Sequence, residues 1–201
     1  KENMKNIIVA KFGGTSVADW HAMNRCCEII KNNPNIRTVV VSASAGVTNY
    51  LVKLAAGNLT QNEREAILQH IADIEFTILK SLGQPQEVAK ALGNLLDELK
   101  TAAREANLEN DPALKDTVLS YGERMSSLLF AECLRNVGVQ AINFDVRQVL
   151  ITNSEHTKAK PDIDATRKRV ETLLNPEIGR SVIVTQGFIG ANEQGDTTTL
   201  G

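Results

Sequence analysis

The chain has 201 residues, 42% hydrophobic and 23% charged, which is enough apolar sequence for one substantial core. Its 22 basic and 24 acidic residues leave a formal net charge of −2, without the basic excess that binds nucleic acid or an anionic membrane. No apolar run reaches the roughly 18 residues of a membrane span, and the first residues lack a signal-peptide pattern. We therefore expect a cytoplasmic protein whose three cysteines, Cys26, Cys27 and Cys133, are free thiols.

The first quarter of the chain alternates strands with helices. Residues 7–10 (IIVA) and 38–41 (TVVV) are continuous apolar runs, which predict strands covered on both faces. Residues 19–32 between them have helical spacing, and another helix is expected to begin near Thr48. This order is typical of α/β proteins with a largely parallel sheet.

The middle of the chain is predicted to be helical, over residues 60–82, 85–106 and 112–137. The first of these helices opens with TQNE, which has the spacing of a capping box. The third has a break expected near Asp116.

Two further strands are predicted in the last third, over residues 141–144 and 181–185. A shorter helix is expected at 162–174, and the last strand opens into a glycine-containing loop, GFIG, at 187–190. Segments 11–16, 42–48 and 187–199 each follow a strand and are rich in small or hydroxyl residues. Because such loops share one edge of a parallel sheet, they predict a small-molecule site there.

The segment with the clearest chemistry is KFGGTS, residues 11–16. Its two glycines let the backbone approach a ligand and turn N–H groups toward an anion, next to the start of a helix. Lys11 could offset the charge of a transferring phosphoryl group. From the residues alone, a plain strand-to-helix turn is an equal alternative. Neither a Walker loop nor GxGxxG occurs in the chain.

Four segments resemble the aspartokinases of the amino-acid kinase superfamily, in the same order: KFGGTSV at 11–17, SASAGVTN at 42–49, YGERMS at 121–126 and TQGFIG at 185–190. The details resemble the lysine-sensitive class. The resemblance implies a three-layer αβα sandwich with a mostly parallel sheet. Residues 1–201 would be the N-terminal lobe of the catalytic domain, without its nucleotide-binding C-terminal half or the regulatory domains.

The resemblance also implies roles for particular residues. Lys11 would contact the ATP phosphates and stabilise the transition state, within a nucleotide-phosphate loop completed by Phe12, Gly13 and Gly14. The aspartate pocket would be lined by Ser42, Thr48 and Phe188, and Glu123 would hold the α-ammonium group of the substrate. From pattern alone, Glu123 would be interpreted as a solvated helix glutamate.

The activity implied is transfer of the γ-phosphoryl group of ATP to the β-carboxylate of L-aspartate, giving 4-phospho-L-aspartate, the first step of lysine, threonine and methionine biosynthesis. Mg²⁺ would be held largely by nucleotide phosphates and water, because the sequence has no all-protein metal cage. We expect the full-length enzyme to be a homo-oligomer and this chain alone to have no useful turnover.

Two other functions remain open. The acceptor could be glutamate, N-acetylglutamate or carbamate, although Glu123 argues against an N-acylated substrate, which has no ammonium group. Alternatively, the chain could be a folding or dimerisation unit, or a small-ligand binding module.

Overall fold

The fold is described by a computed structural model that covers residues 6–105 and 107–201. Four parallel strands form the main sheet in the order β1-β2-β4-β3, and two antiparallel strands form a separate hairpin. The strands are β1 (Ile8–Phe12), β2 (Ile36–Val41), β3 (Ala141–Asn143), β4 (Val182–Gln186), β5 (Ile189–Ala191) and β6 (Thr197–Thr199). The predicted α/β fold with a mostly parallel sheet is confirmed.

The register of the sheet aligns the strand ends that precede the predicted ligand loops. Phe12 of β1 lies opposite Val41 of β2, and Val41 lies opposite Gln186 of β4. The three loops therefore leave the sheet at one edge, as the sequence predicted.

The helices are α1 (Trp20–Lys31), α2 (Val47–Ala56), α3 (Gln61–Ser81), α4 (Gln86–Ala103), α5 (Pro112–Asn136), α6 (Ile163–Arg169) and α7 (Asn175–Ile178). Side-chain oxygens of Asp19, Thr60, Asp111 and Asp162 accept backbone N–H groups at the starts of α1, α3, α5 and α6. Such caps satisfy N–H groups that have no partner inside the helix. Among the residues described, no helix is both long and apolar enough to cross a lipid bilayer.

Helix α5 is the centre of the core. Fourteen of its 25 residues are buried, so it is enclosed on nearly every side rather than along one stripe. It packs against α1, α2 and α4 and against β2, β3 and β4. The break predicted near Asp116 is wrong: the helix is continuous, because the Asp116 carboxylate binds donors from other segments and leaves the helix backbone undisturbed.

Four other sequence predictions need correction or qualification. The first strand is not covered on both faces, because β1 lies at the sheet edge and Val9 is 62% exposed. The expected loop 187–190 contains the start of the hairpin, because β5 pairs with β6. The helix predicted at 162–174 changes to a π-helical turn at Val170. Helix α4 ends at Ala103, and its predicted end, Ala106, lies outside the described residues. The three cysteines are buried free thiols, as predicted.

Candidate active site

The glycine loop after β1 forms a short 3₁₀ helix, Gly14–Val17. Gly13 has open space where a Cβ would lie, whereas a Cβ on Gly14 would come within 3.1 Å of the Ala43 carbonyl oxygen. Gly14 is therefore needed for the close approach of two backbones, and the space at Gly13 lets a ligand reach the chain. Lys11 has an exposed side chain, and none of the carboxylates described forms an ion pair with it.

Two hydrogen bonds join this glycine loop to the loop that follows β2, residues 42–46, which we call the Ser42 loop. The Ala45 N–H donates to the Gly14 carbonyl over 3.1 Å, and the Ser44 hydroxyl donates to the Val17 carbonyl over 2.6 Å. Ser44 is fully buried, so its hydroxyl has no water to replace this partner. The two loops are therefore joined directly to each other at this edge of the sheet.

Glu123 reaches these joined loops from helix α5. The side chain is buried, and its Oε1 atom accepts the Ala43 N–H over 3.3 Å. Gly122 allows the approach, since a Cβ there would lie 2.7 Å from the Ala43 Cβ and 3.0 Å from Leu51 Cδ1. Burial raises the pKa of Glu123 from 4.5 to about 7, opposed by the Ala43 N–H and its own N–H, which lower it. No described side chain of opposite charge pairs with this carboxylate, and a cation would stabilise its charged form.

Phe188 lies at the same edge, directly after β4. The Gly187 N–H donates to the Val41 carbonyl over 3.0 Å, which fixes where the chain leaves the sheet. Phe188 itself has a positive φ of 72°, and its ring is exposed. A positive φ is uncommon for a bulky residue and requires support from its surroundings. That support includes a hydrogen bond of 2.9 Å from the Leu200 N–H to the Phe188 carbonyl.

The other predicted site residues lie along the same edge. Ser42 is half-buried, and its N–H donates to the Phe12 carbonyl over 3.1 Å. Thr48 is exposed in the first turn of α2. The structure thus brings the glycine loop, the Ser42 loop and Glu123 into direct contact, and puts Phe188 on the neighbouring strand end. Among the residues described, no cluster of three or more His, Cys, Asp or Glu could hold a metal ion.

Sequence reasoning missed one buried polar cluster near the site. Asp116 is completely buried and accepts hydrogen bonds from Thr157, Thr199 and His156. The side chain of His156 is only 15% exposed, and its Nδ1 atom lies 2.8 Å from Asp116 Oδ2. The cluster joins residues 40 and 83 positions apart, so no local pattern could have indicated it.

Comparison with known proteins agrees with this geometry. The model of the amino acid kinase family matches residues 6–201. Lysine-sensitive aspartokinase 3 of Escherichia coli is 47% identical over 198 residues, covering 98% of this chain and 44% of that protein. An aspartokinase of Chlamydia muridarum is 33% identical over 195 residues, covering 96% of this chain and 42% of that protein. The chain thus spans less than half the length of these relatives.

Solved structures give the same result. The crystal structure of E. coli aspartokinase III in complex with aspartate and ADP, in the R-state, superposes with a TM-score of 0.93 at 47% identity, over 97% of this chain and 43% of that one. The aspartate kinase of Clostridium acetobutylicum, 22% identical, superposes with a TM-score of 0.74 over 96% of this chain and 41% of that one, a likeness of fold.

Proposed function

The chain belongs to the amino acid kinase family, and on that premise we propose that residues 1–201 are the N-terminal part of the catalytic domain of an aspartate kinase. The enzyme transfers the γ-phosphoryl group of ATP to the β-carboxylate of L-aspartate. The observation that carries the proposal is Glu123, a buried carboxylate that accepts the Ala43 N–H. Ala43 lies in the loop after β2, which is itself hydrogen-bonded to the glycine loop. The similar E. coli enzyme, crystallised with aspartate and ADP, supports the choice of substrates.

The glycine loop binds the phosphates of Mg-ATP. Gly13 leaves room for a phosphate oxygen beside the backbone, and the Lys11 ammonium neutralises charge that develops on the transferring group. Phe12 and Gly14 hold the loop against the Ser42 loop, so its N–H groups need not reorganise during the reaction. Mg²⁺ arrives as part of the nucleotide substrate, held by its phosphates and water.

Glu123 binds the α-ammonium group of aspartate. The ammonium group pairs with the buried carboxylate and favours its ionised form, so binding lowers the pKa of Glu123 from about 7. Ser42, Thr48 and Phe188 line the rest of the pocket. The β-carboxylate of aspartate is already ionised at neutral pH, so no general base is required and catalysis consists of alignment and charge neutralisation.

The rest of the enzyme lies outside this chain in the proposal. The relatives are more than twice as long, and their additional length would supply the adenine and ribose contacts and the regulatory domains. We accordingly assign no useful turnover to residues 1–201 alone. The full-length enzyme would be a cytoplasmic homo-oligomer.

Trapping of the acyl phosphate tests this function. The chain is expressed with its natural C-terminal continuation and incubated with Mg-ATP, hydroxylamine and either aspartate, glutamate or N-acetylglutamate. We expect hydroxamate with aspartate, its loss in Lys11→Ala, and normal yield in Lys31→Ala, which removes an exposed lysine from the end of α1. Product with a different acceptor would keep the family and discard the substrate. No product with any acceptor would favour a binding or scaffolding role.

A further inference from the structure

Asp116 is a buried carboxylate that the proposed reaction does not use. Its Oδ1 atom accepts the Thr199 hydroxyl over 2.7 Å, and its Oδ2 atom accepts the Thr199 N–H over 3.1 Å. The Thr157 N–H lies within 3.1 Å of both oxygens, and His156 Nδ1 lies 2.8 Å from Oδ2. Both oxygens thus hold β6 and the loop before α6 onto the start of α5.

The same helix carries Glu123, seven positions further on. Seven residues are about two turns of an α-helix, or about 10 Å, so the two side chains lie on one face. Helix α5 is enclosed by the core on most of its surface, so it is a common buried support for both side chains. Strand β6, which is bound to Asp116 through Thr199, is therefore fixed in position relative to Glu123.

The segment anchored at Asp116 supports the unusual backbone of Phe188. Thr199 pairs with Ile189 across the hairpin, and the next residue, Leu200, donates its N–H to the Phe188 carbonyl over 2.9 Å. The Ile189 N–H also donates to the Gly187 carbonyl over 2.9 Å, which closes a three-residue turn around Phe188. With a φ of 72° at its centre, this turn is of the γ type, which is rare and strained.

A strained turn persists only where its surroundings enforce it. We infer that Asp116 is a positioning residue for the aspartate site: by holding β6 against α5, it fixes Phe188 relative to Glu123. The inference rests on the proposed function for the identity of the substrate, while the anchoring contact itself stands on the geometry of Asp116, Thr199 and Phe188. The carboxylate is required because an asparagine at 116 would turn an NH₂ group toward N–H and O–H donors.

The test uses the enzyme with its natural continuation and compares Asp116→Asn with Asp111→Asn. The control makes the same change on the same helix, at an N-cap where Asn serves nearly as well as Asp. We expect Asp116→Asn to lower kcat/KM for aspartate by about tenfold or more, through KM, with the KM for Mg-ATP within about twofold of the parent. Thr199→Val removes only the hydroxyl and should shift the same constant in the same direction by a smaller factor.

Two readouts separate positioning from general support of the fold. Hydrogen exchange in residues 187–200 should accelerate in Asp116→Asn and stay unchanged in Asp111→Asn. In a Phe188→Ala background, Asp116→Asn should raise the KM for aspartate little further, because both changes remove the same contact. If Thr199→Val and Asp116→Asn leave the KM for aspartate unchanged in an enzyme that phosphorylates aspartate, this inference fails and the proposed function survives. An enzyme inactive with aspartate would overturn the proposed function and this role in it together, whatever the exchange data.

Discussion

Replacing Glu123 with glutamine should make the protein more stable while it impairs binding of aspartate. The carboxyl group is buried, and burial raises its pKa from 4.5 to about 7. Glutamine has the shape of the protonated acid and keeps an oxygen that can accept the Ala43 N–H. It cannot ionise, so it avoids the penalty of a buried charge.

The sign and size of the effect follow from proton linkage. Between pH 4.5 and about 7 the folded protein holds a proton at Glu123 that the unfolded chain has lost, so stability falls as pH rises. The pKa difference corresponds to about 3 kcal/mol once pH exceeds 7. Glu123→Gln should therefore raise the free energy of unfolding by about 3 kcal/mol at pH 8 and by less than about 1 kcal/mol at pH 5.

The same substitution should weaken the binding of aspartate, although it stabilises the fold. An ammonium group pairs with the ionised carboxylate, so below pH 7 the site must first release a proton. The KM for aspartate should then rise about tenfold between pH 8 and pH 6 in the parent enzyme. In Glu123→Gln it should be raised by about 100-fold at pH 8 and show little dependence on pH, because a charge-assisted contact is lost.

Urea unfolding of the chain at pH 5 and pH 8 measures the change in the free energy of unfolding. Initial rates of the longer enzyme measure the change in the KM for aspartate. Glu87→Gln is the control, since Glu87 is exposed on α4 and its change should leave both pH profiles intact. A Glu123→Gln protein that is less stable than the parent at pH 8, or an unaltered KM for aspartate, would refute the reasoning.

Three further predictions concern buried groups and close contacts. Glu75 on α3 is fully buried, and neither of its carboxylate oxygens has a partner among the described residues. Burial raises the pKa of Glu75 to about 8. The free energy of unfolding should therefore fall as pH rises from 4.5 to about 8. Glu75→Leu should remove that fall and raise the free energy of unfolding above pH 8 by up to about 5 kcal/mol. An unchanged pH profile in urea unfolding would contradict this. Gly122→Ala should cost about 1–3 kcal/mol in urea unfolding and raise the KM for aspartate, since the new Cβ would lie 2.7 Å from the Ala43 Cβ; a fully stable variant would show that the contact can relax. Ser44→Ala leaves the Val17 carbonyl unpaired and should cost about 1–3 kcal/mol in thermal or urea unfolding, whereas a neutral result would mean that the two loops are held otherwise.

Local sequence patterns were sufficient for elements whose signals lie within a few residues. The apolar run before KFGGTS, the capping box at Thr60 and the strand before Phe188 each depend on neighbours within a few residues, and the structure has an element at each. The contact between the glycine loop and the Ser42 loop was expected because parallel strands end together.

Burial and buried polar partners could not be predicted in the same way. An apolar run does not reveal whether its strand is central, and β1 proved to be an edge strand with an exposed Val9. Asp116 and Glu75 are carboxylates within helices, and from sequence alone such a residue is usually interpreted as lying on a solvated helix face. One binds Thr199, which is 83 residues away, and the other lies in the core without a partner; both depend on tertiary contacts.

The identity of the phosphorylated carboxylate tests the account most directly. The account places Glu123 on the α-ammonium group and the glycine loop on the phosphates, and it assigns the phosphoryl group to the β-carboxylate of aspartate. Borohydride reduction of the acyl phosphate, formed by the enzyme with its natural continuation, converts the phosphorylated carboxyl to an alcohol that mass spectrometry with authentic standards identifies. The account predicts homoserine. The isomeric amino alcohol from the α-carboxylate, or recovery of unreduced aspartate alone, would contradict it.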